Sequence, residues 1–159
     1  MFSSVEEDKH EHCVGFLVHK DIVNTVMGCR LVSSRLITIR MRAVPFNITI
    51  VQTYAKTSDY DDNKIEEFYD QLLNVVDQTP KKDILVVQGD WNAKPGRDAC
   101  GNWQGICGPF CNDDTNERGL RLLEFAILCW RTHLVITRHP EDGHGIAQMD
   151  NTTTSLITF

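Results

Sequence analysis

Residues Ile84 to Asn92 read Ile-Leu-Val-Val-Gln-Gly-Asp-Trp-Asn, an apolar, β-branched run that stops abruptly in Gly-Asp-x-Asn. An unbroken apolar run of this length bounded by turn formers is a buried strand. It delivers the Asp90 carboxylate and the Asn92 carboxamide at its C-terminal end. Sheet enzymes commonly place their chemistry at that edge.

The pattern around the run alternates strands with helices. Val14 to Val18 is apolar enough for a short buried strand, and Arg35 to Arg42 alternates polar with apolar residues, as a half-buried strand does. Val44-Pro45-Phe46-Asn47 supplies a turn, and Asn47 to Tyr54 follows as a β-branched hairpin partner. Ile65, Phe68, Tyr69, Leu72, Leu73 and Val76 recur at helical spacing, which predicts an amphipathic helix over Ile65 to Gln78. Ser58 or Asp59 is the expected cap region, and Thr79-Pro80 ends the helix. A long Gly-rich loop, Ala93 to Thr115, comes next, of a length that in a compact domain is functional or disordered. A second helix starts at Thr115 or Asn116, and His133 to Thr137 is a short strand. Beyond Arg138 no period is visible, and composition alone makes that stretch a disordered tail. The expected fold class is α/β in one domain, with no internal repeat.

Length and composition narrow the function classes. The 159 residues suit one domain with a real core. The first dozen residues are acidic and polar with no apolar leader core. No stretch reaches the ~20 apolar residues that span a bilayer. An intracellular location, nuclear or cytoplasmic, with no membrane partner is the resulting expectation. A net charge of -6 argues against coating nucleic acid by bulk electrostatics. Arg35, Arg40 and Arg42 are local basic candidates, although alternating charges on a strand are more often a solvated face. Cys100, Cys107 and Cys111 share the Gly-rich loop but lack the paired spacing of a structural zinc site. Cys13, Cys29 and Cys129 are scattered, His139 and His144 lie far along the chain, and reduced thiols are expected.

On residue types alone, Asp90 and Asn92 are as readily turn formers as catalytic groups, and Tyr54 a strand-end aromatic. The order of several blocks adds to this. Val14-Gly15-Phe16-Leu17-Val18, Gln52-Thr53-Tyr54-Ala55, Gly89-Asp90-Trp91-Asn92-Ala93-Lys94 and Asn116 through Phe125 follow one another as they do in a known superfamily. The chain resembles the endonuclease/exonuclease/phosphatase superfamily, and within it the craniofacial development protein 2 group and BovB-type retrotransposon endonuclease domains. The resemblance covers roughly Cys13 to Thr137.

The resemblance implies a partial four-layer α/β sandwich of the DNase I-like type, incomplete at both ends, and Mg²⁺-dependent phosphodiester hydrolysis with DNA as the partner. It implies that Asp90 positions or deprotonates the attacking water, that Asn92 holds that water or a phosphate oxygen, and that Tyr54 donates to the phosphate. The family's Ser-Asp-His motif does not occur, Lys56 replaces its usual proline, and Glu6, Glu7 and Glu11 lack its surrounding pattern. The metal ligands are therefore unassigned, and impaired catalysis is expected. The alternatives are a non-catalytic nucleic-acid- or protein-binding module that keeps the fold, or an active phosphodiesterase or phosphatase with substitute ligands. The expected organisation is a polar segment over 1–12, a truncated domain over 13–137 and a divergent tail over 138–159. One synonymous coding of the family's penultimate segment, read from its second base, translates to His144 through Thr154, so the tail reads as frame-shifted.

Overall fold

A computed structural model describes residues 2–3, 14–55, 61–96, 114–129, 134–138 and 147–148. A mixed six-stranded sheet forms the frame, in the order β3 (Val26–Ser33), β4 (Leu36–Met41), β5 (Ile48–Tyr54), β6 (Ile84–Asp90), β7 (Leu134–Arg138) and β8 (Ala147–Gln148). The pairs β3·β4 and β4·β5 are antiparallel, β5·β6 and β6·β7 are parallel, and β7·β8 is antiparallel. A separate two-stranded ribbon joins β1 (Phe2–Ser3) to β2 (Gly15–Phe16). Each parallel step carries a helix between its strands, α1 (Asp62–Gln78) before β6 and α2 (Glu117–Leu128) before β7, as parallel pairing requires.

Strand alternation decides which face the helices cover. Along β5, Thr49, Val51 and Thr53 are buried while Ile48, Ile50, Gln52 and Tyr54 are half-buried; along β6, Leu85 and Val87 are buried between half-buried Ile84, Val86 and Gln88. The buried set packs in one core with Phe68, Tyr69 and Leu72 of α1 and Leu122, Leu123 and Phe125 of α2. Both helices therefore lie on the same side of the sheet. The fold is α/β, and the described residues supply the six-stranded sheet with one helix layer and the separate ribbon, consistent with part of a four-layer sandwich.

Several expectations need correction. Only Gly15–Phe16 of the apolar Val14–Val18 run is a strand: Val14 is buried beside it, whereas Leu17, beyond the two paired residues, is 89% exposed. The edge strand β3 was not expected: its sequence VMGCRLVS has no clear period, and the register shifts at Val26/Gly28 and Leu31/Ser33 break the alternation a reader would look for. Helix α1 begins at Asp62 with Asp61 as its cap, before the first apolar residue of its stripe, while Ser58 and Asp59 fall outside the described residues. Its end matches expectation: the Thr79 hydroxyl donates to Val75 O at 2.9 Å and Pro80 follows. In the tail, Ala147 and Gln148 pair with Ile136 and Val135, so part of that stretch is ordered strand rather than disordered.

Arg40 is not part of a solvated face. Its guanidinium donates to Asp83 through Nε at 2.6 Å and Nη2 at 2.9 Å, and the Thr49 hydroxyl donates to the same carboxylate at 3.0 Å. The Asp83 side chain is 1% exposed, so this bidentate pair ties β4 and β5 to the residue that leads into β6. Ion pairs from Arg118 to Asp62 and from Arg121 to Glu66 join the two helices.

One polar group in the core is poorly served. The Thr53 hydroxyl, on a residue 1% exposed, meets no hydrogen-bond partner among the described residues. Thr53→Val keeps the shape and removes a buried donor, so it is expected to stabilise the chain by about 1 kcal/mol. A urea denaturation midpoint below that of the parent would contradict this.

Candidate active-site corner at the ends of β5 and β6

The parallel register sets Gln52 beside Gln88, Thr53 beside Gly89 and Tyr54 beside Asp90. Alternation then puts Gln52, Tyr54, Gln88 and Asp90 on the sheet face away from the helices. Gln88 Nε2 donates to Gln52 Oε1 at 3.1 Å, which makes a polar floor just before the strand ends. The two strands approach closely because residue 89 is glycine. A Cβ there would lie 1.9 Å from Thr53 O, and the backbone sits at φ +146°, where side chains are rarely accommodated.

The chain turns sharply after Asp90. Asp90 Oδ1 accepts from Asn92 N at 3.0 Å, an Asx turn, and Asn92 adopts the left-handed φ of 47° that asparagine tolerates. Asp90 O accepts from Ala55 N at 2.8 Å, and Asn92 Nδ2 donates to Ala55 O at 2.8 Å. The ends of β5 and β6 are thus laced to each other beyond the sheet. Between the two polar residues, Trp91 is 1% exposed and its ring lies 6.1 Å from that of Phe125 on α2. The turn is anchored in the core at its middle residue while its neighbours remain at the corner.

Helix α2 fixes the next few residues. Asn116, its N-cap, accepts through Oδ1 from both Lys94 N at 2.9 Å and Gly119 N at 2.7 Å, and its own N–H donates to Lys94 O at 3.0 Å. Gly119 has no side chain because a Cβ would stand 2.3 Å from Lys94 O. Asn116→Ala leaves two amides without this acceptor, so a loss of about 2 kcal/mol is expected. Thermal or urea unfolding reads it directly, and a change below about 0.5 kcal/mol would refute the double cap.

The three residues singled out by sequence therefore meet at one corner: Tyr54 and Asp90 in register, and Asn92 tied to Ala55. Sequence reasoning gave no role to Gln52 or Gln88, placed Asn116 only as one of two possible helix starts, and weighed Arg35 as a local basic candidate against a solvated face. Arg35 is 8% exposed, with its guanidinium 5.5 Å from the centre of the Tyr54 ring. The visible signals were the matching Gln-x-Tyr and Gln-Gly-Asp spacings, and Asn-x-x-Gly at a helix start.

No group of three His, Cys, Asp or Glu side chains is gathered for a metal ion among the described residues. Glu6, Glu7, Glu11, the cysteines of the Gly-rich loop, His139 and His144 lie outside them. Cys129 is 2% exposed in the core, and burial pushes its thiol up to about 12, which disfavours the thiolate. No described helix is long and apolar enough to cross a membrane.

No family model matches the sequence. Two curated proteins do: craniofacial development protein 2 of Bos taurus is 40% identical over 124 residues, and that of Tragulus javanicus 37% over 123. These alignments take in 78% and 77% of this chain but 20% of each relative, so the chain spans about a fifth of their length. Among solved structures, the endonuclease domain of TRAS1, a telomere-specific non-LTR retrotransposon, is 26% identical over 58% of this chain and 35% of its own, with a TM-score of 0.38.

Proposed function

The chain is a relative of craniofacial development protein 2 with an endonuclease/exonuclease/phosphatase-like relationship, and from that premise we propose that it is a phosphodiester hydrolase domain of the Mg²⁺-dependent endonuclease type with impaired catalysis. The observation that carries this is the laced strand end, where Tyr54 and Asp90 stand in register and Asn92 closes the turn. In this reading Asp90 orients an attacking water and accepts its proton. Tyr54 donates from its phenol to a phosphate oxygen as charge grows there. Asn92, with one amide hydrogen committed to Ala55 O, shapes the turn and offers its remaining polar atoms to the same water or oxygen.

The donor set among the described residues does not fit a resident Mg²⁺. Asp90 is the carboxylate that the described residues bring to the corner, and no cluster of ligand side chains surrounds it among them. Mg²⁺ sites draw on one or two carboxylates with waters and substrate phosphates, in near-octahedral geometry. One carboxylate that already accepts a backbone amide is at the lower limit of that set. A corner so short of ligands supports slow turnover by the described residues.

A second reading has its own support: Asp90 and Asn92 both spend hydrogen bonds on the corner itself, which suits a module that receives a phosphate, as in DNA, without cleaving it. Hydrolysis of bis(p-nitrophenyl) phosphate in Mg²⁺ tests the impaired reading, with a rate close to the protein-free background expected. Robust turnover lost in Tyr54→Phe would replace it with an active phosphodiesterase. Duplex DNA binding that persists in EDTA would favour the binding module.

A further inference from the structure

Arg35 sits in the turn between β3 and β4, immediately before Leu36, yet it does not reach into solvent. The residue is 8% exposed, among the few buried polar or charged residues described. It contacts Tyr54 in three ways. Its carbonyl accepts from Tyr54 N at 3.0 Å, Nη1 donates to Tyr54 O at a long 3.4 Å, and its guanidinium lies 5.5 Å from the centre of the Tyr54 ring. On the other side, the next residue, Ala55, is held through its N–H by Asp90 O and through its carbonyl by Asn92 Nδ2. The Tyr54-Ala55 step is therefore fixed from two directions, by Arg35 and by the Asp90 turn.

The chemistry of the group matches that arrangement. Burying a guanidinium is costly, and the cost is offset where its charge lies near an aromatic ring and an N–H meets a carbonyl, as here with Tyr54. A lysine could bring the charge over the ring but not the guanidinium's spread of N–H donors. A positive charge held over the ring also favours a phenol that faces an anion.

We propose that Arg35 is the positioning residue of the corner: it sets the Tyr54 ring and biases its phenol toward a phosphate oxygen. The phosphate part of this rests on the phosphodiesterase reading above, whereas the positioning part does not. Arg35 acts through Tyr54 and need not touch the ligand.

The test uses the full chain with ¹³C-labelled tyrosine, whose three residues give three ring signals, and Tyr54→Phe assigns the one that matters. Inorganic phosphate is the probe, and Arg35→Gln and Arg35→Lys are the variants. In Arg35→Gln the Tyr54 signal is expected to move, and its response to phosphate to need about tenfold more phosphate. Arg35→Lys is expected to fall between. The Tyr69 signal, from a ring 5.8 Å from Phe125 in the core, stays in place and reports an intact fold. A Tyr54 signal unchanged in Arg35→Gln, in both position and phosphate response, overturns the proposal. Should that variant lose the Tyr69 signal, Arg35→Lys decides by the same criterion. If phosphate leaves the Tyr54 signal of the parent chain unmoved, the phosphate role and the phosphodiesterase reading fail at this site. Movement of that signal on substituting Arg35 still establishes the positioning role.

Discussion

Gly89→Ala is expected to cost the chain about 4 kcal/mol or more, a large part of the stability of an ordinary domain. Two effects coincide at this position. The backbone lies at φ +146°, which an alanine rarely adopts, and the new methyl would stand 1.9 Å from Thr53 O and 2.7 Å from Thr53 Oγ1. The obstacle is a strand backbone, not the end of a flexible side chain, so relief requires β5 and β6 to separate where they carry Tyr54 and Asp90. Gly28→Ala is the matched control: it lies in edge strand β3 with nothing within 4 Å of the added atom. Urea denaturation of both variants gives the comparison. A Gly89→Ala midpoint within about 1 kcal/mol of the parent would show that the strand ends are not packed as closely as described.

Asp83→Ala is the second large effect, at about 3 kcal/mol. The substitution removes a carboxylate that is 1% exposed and leaves the guanidinium of Arg40 and the hydroxyl of Thr49 without their acceptor. The same group sets an acid limit on stability. Hydrogen bonds from Arg40, joined by that from Thr49, outweigh burial and hold the Asp83 carboxyl below its ordinary value of 3.8. A carboxyl whose folded value is depressed contributes stability that is present above its unfolded value and disappears as pH falls through its folded one. The parent chain should therefore lose stability below about pH 4 more steeply than Asp83→Asn, which has no such proton to take up. Melting temperatures of the two proteins over that acid range check it, and parallel curves would contradict it.

Much of this architecture was legible in the sequence because burial and period coincide in its central elements. The run from Ile84 is β-branched and ends in turn formers, and the structure makes it a strand to Asp90. The stripe from Ile65 to Val76 is helical by spacing and is buried as a helix. Edge elements were not legible. β3 is half exposed, carries Gly28 and two irregularities of register, and so shows neither the alternation nor the continuity that marks a strand. The four-residue Val44 to Asn47 turn was visible from its proline, whereas the shortness of β2 was not, because an apolar run does not say how many residues find a partner.

The corner was legible in part, for a related reason. Asp90, Asn92 and Tyr54 stand at the ends of elements that the apolar pattern locates, so their meeting follows from the parallel register. Arg35 could not be found that way. It stands an odd number of residues from Arg40 and Arg42, off the face those two share, and only the return of β5 beside it shows that the guanidinium lies over Tyr54. Asn116 belongs to the same class, since a capping residue is easy to place at a helix start while its second acceptance, from Lys94 N, joins segments 22 residues apart.

Under the proposed function, the corner of Tyr54, Asp90 and Asn92 is that of a phosphodiesterase with impaired catalysis. Nicking of supercoiled DNA in Mg²⁺ by the parent chain, beside Asp90→Ala at equal concentration, tests it most directly. Rates for the two within about twofold of each other, and near the rate without protein, are the predicted result. A parent rate about tenfold or more above that of Asp90→Ala, abolished by EDTA, would contradict it.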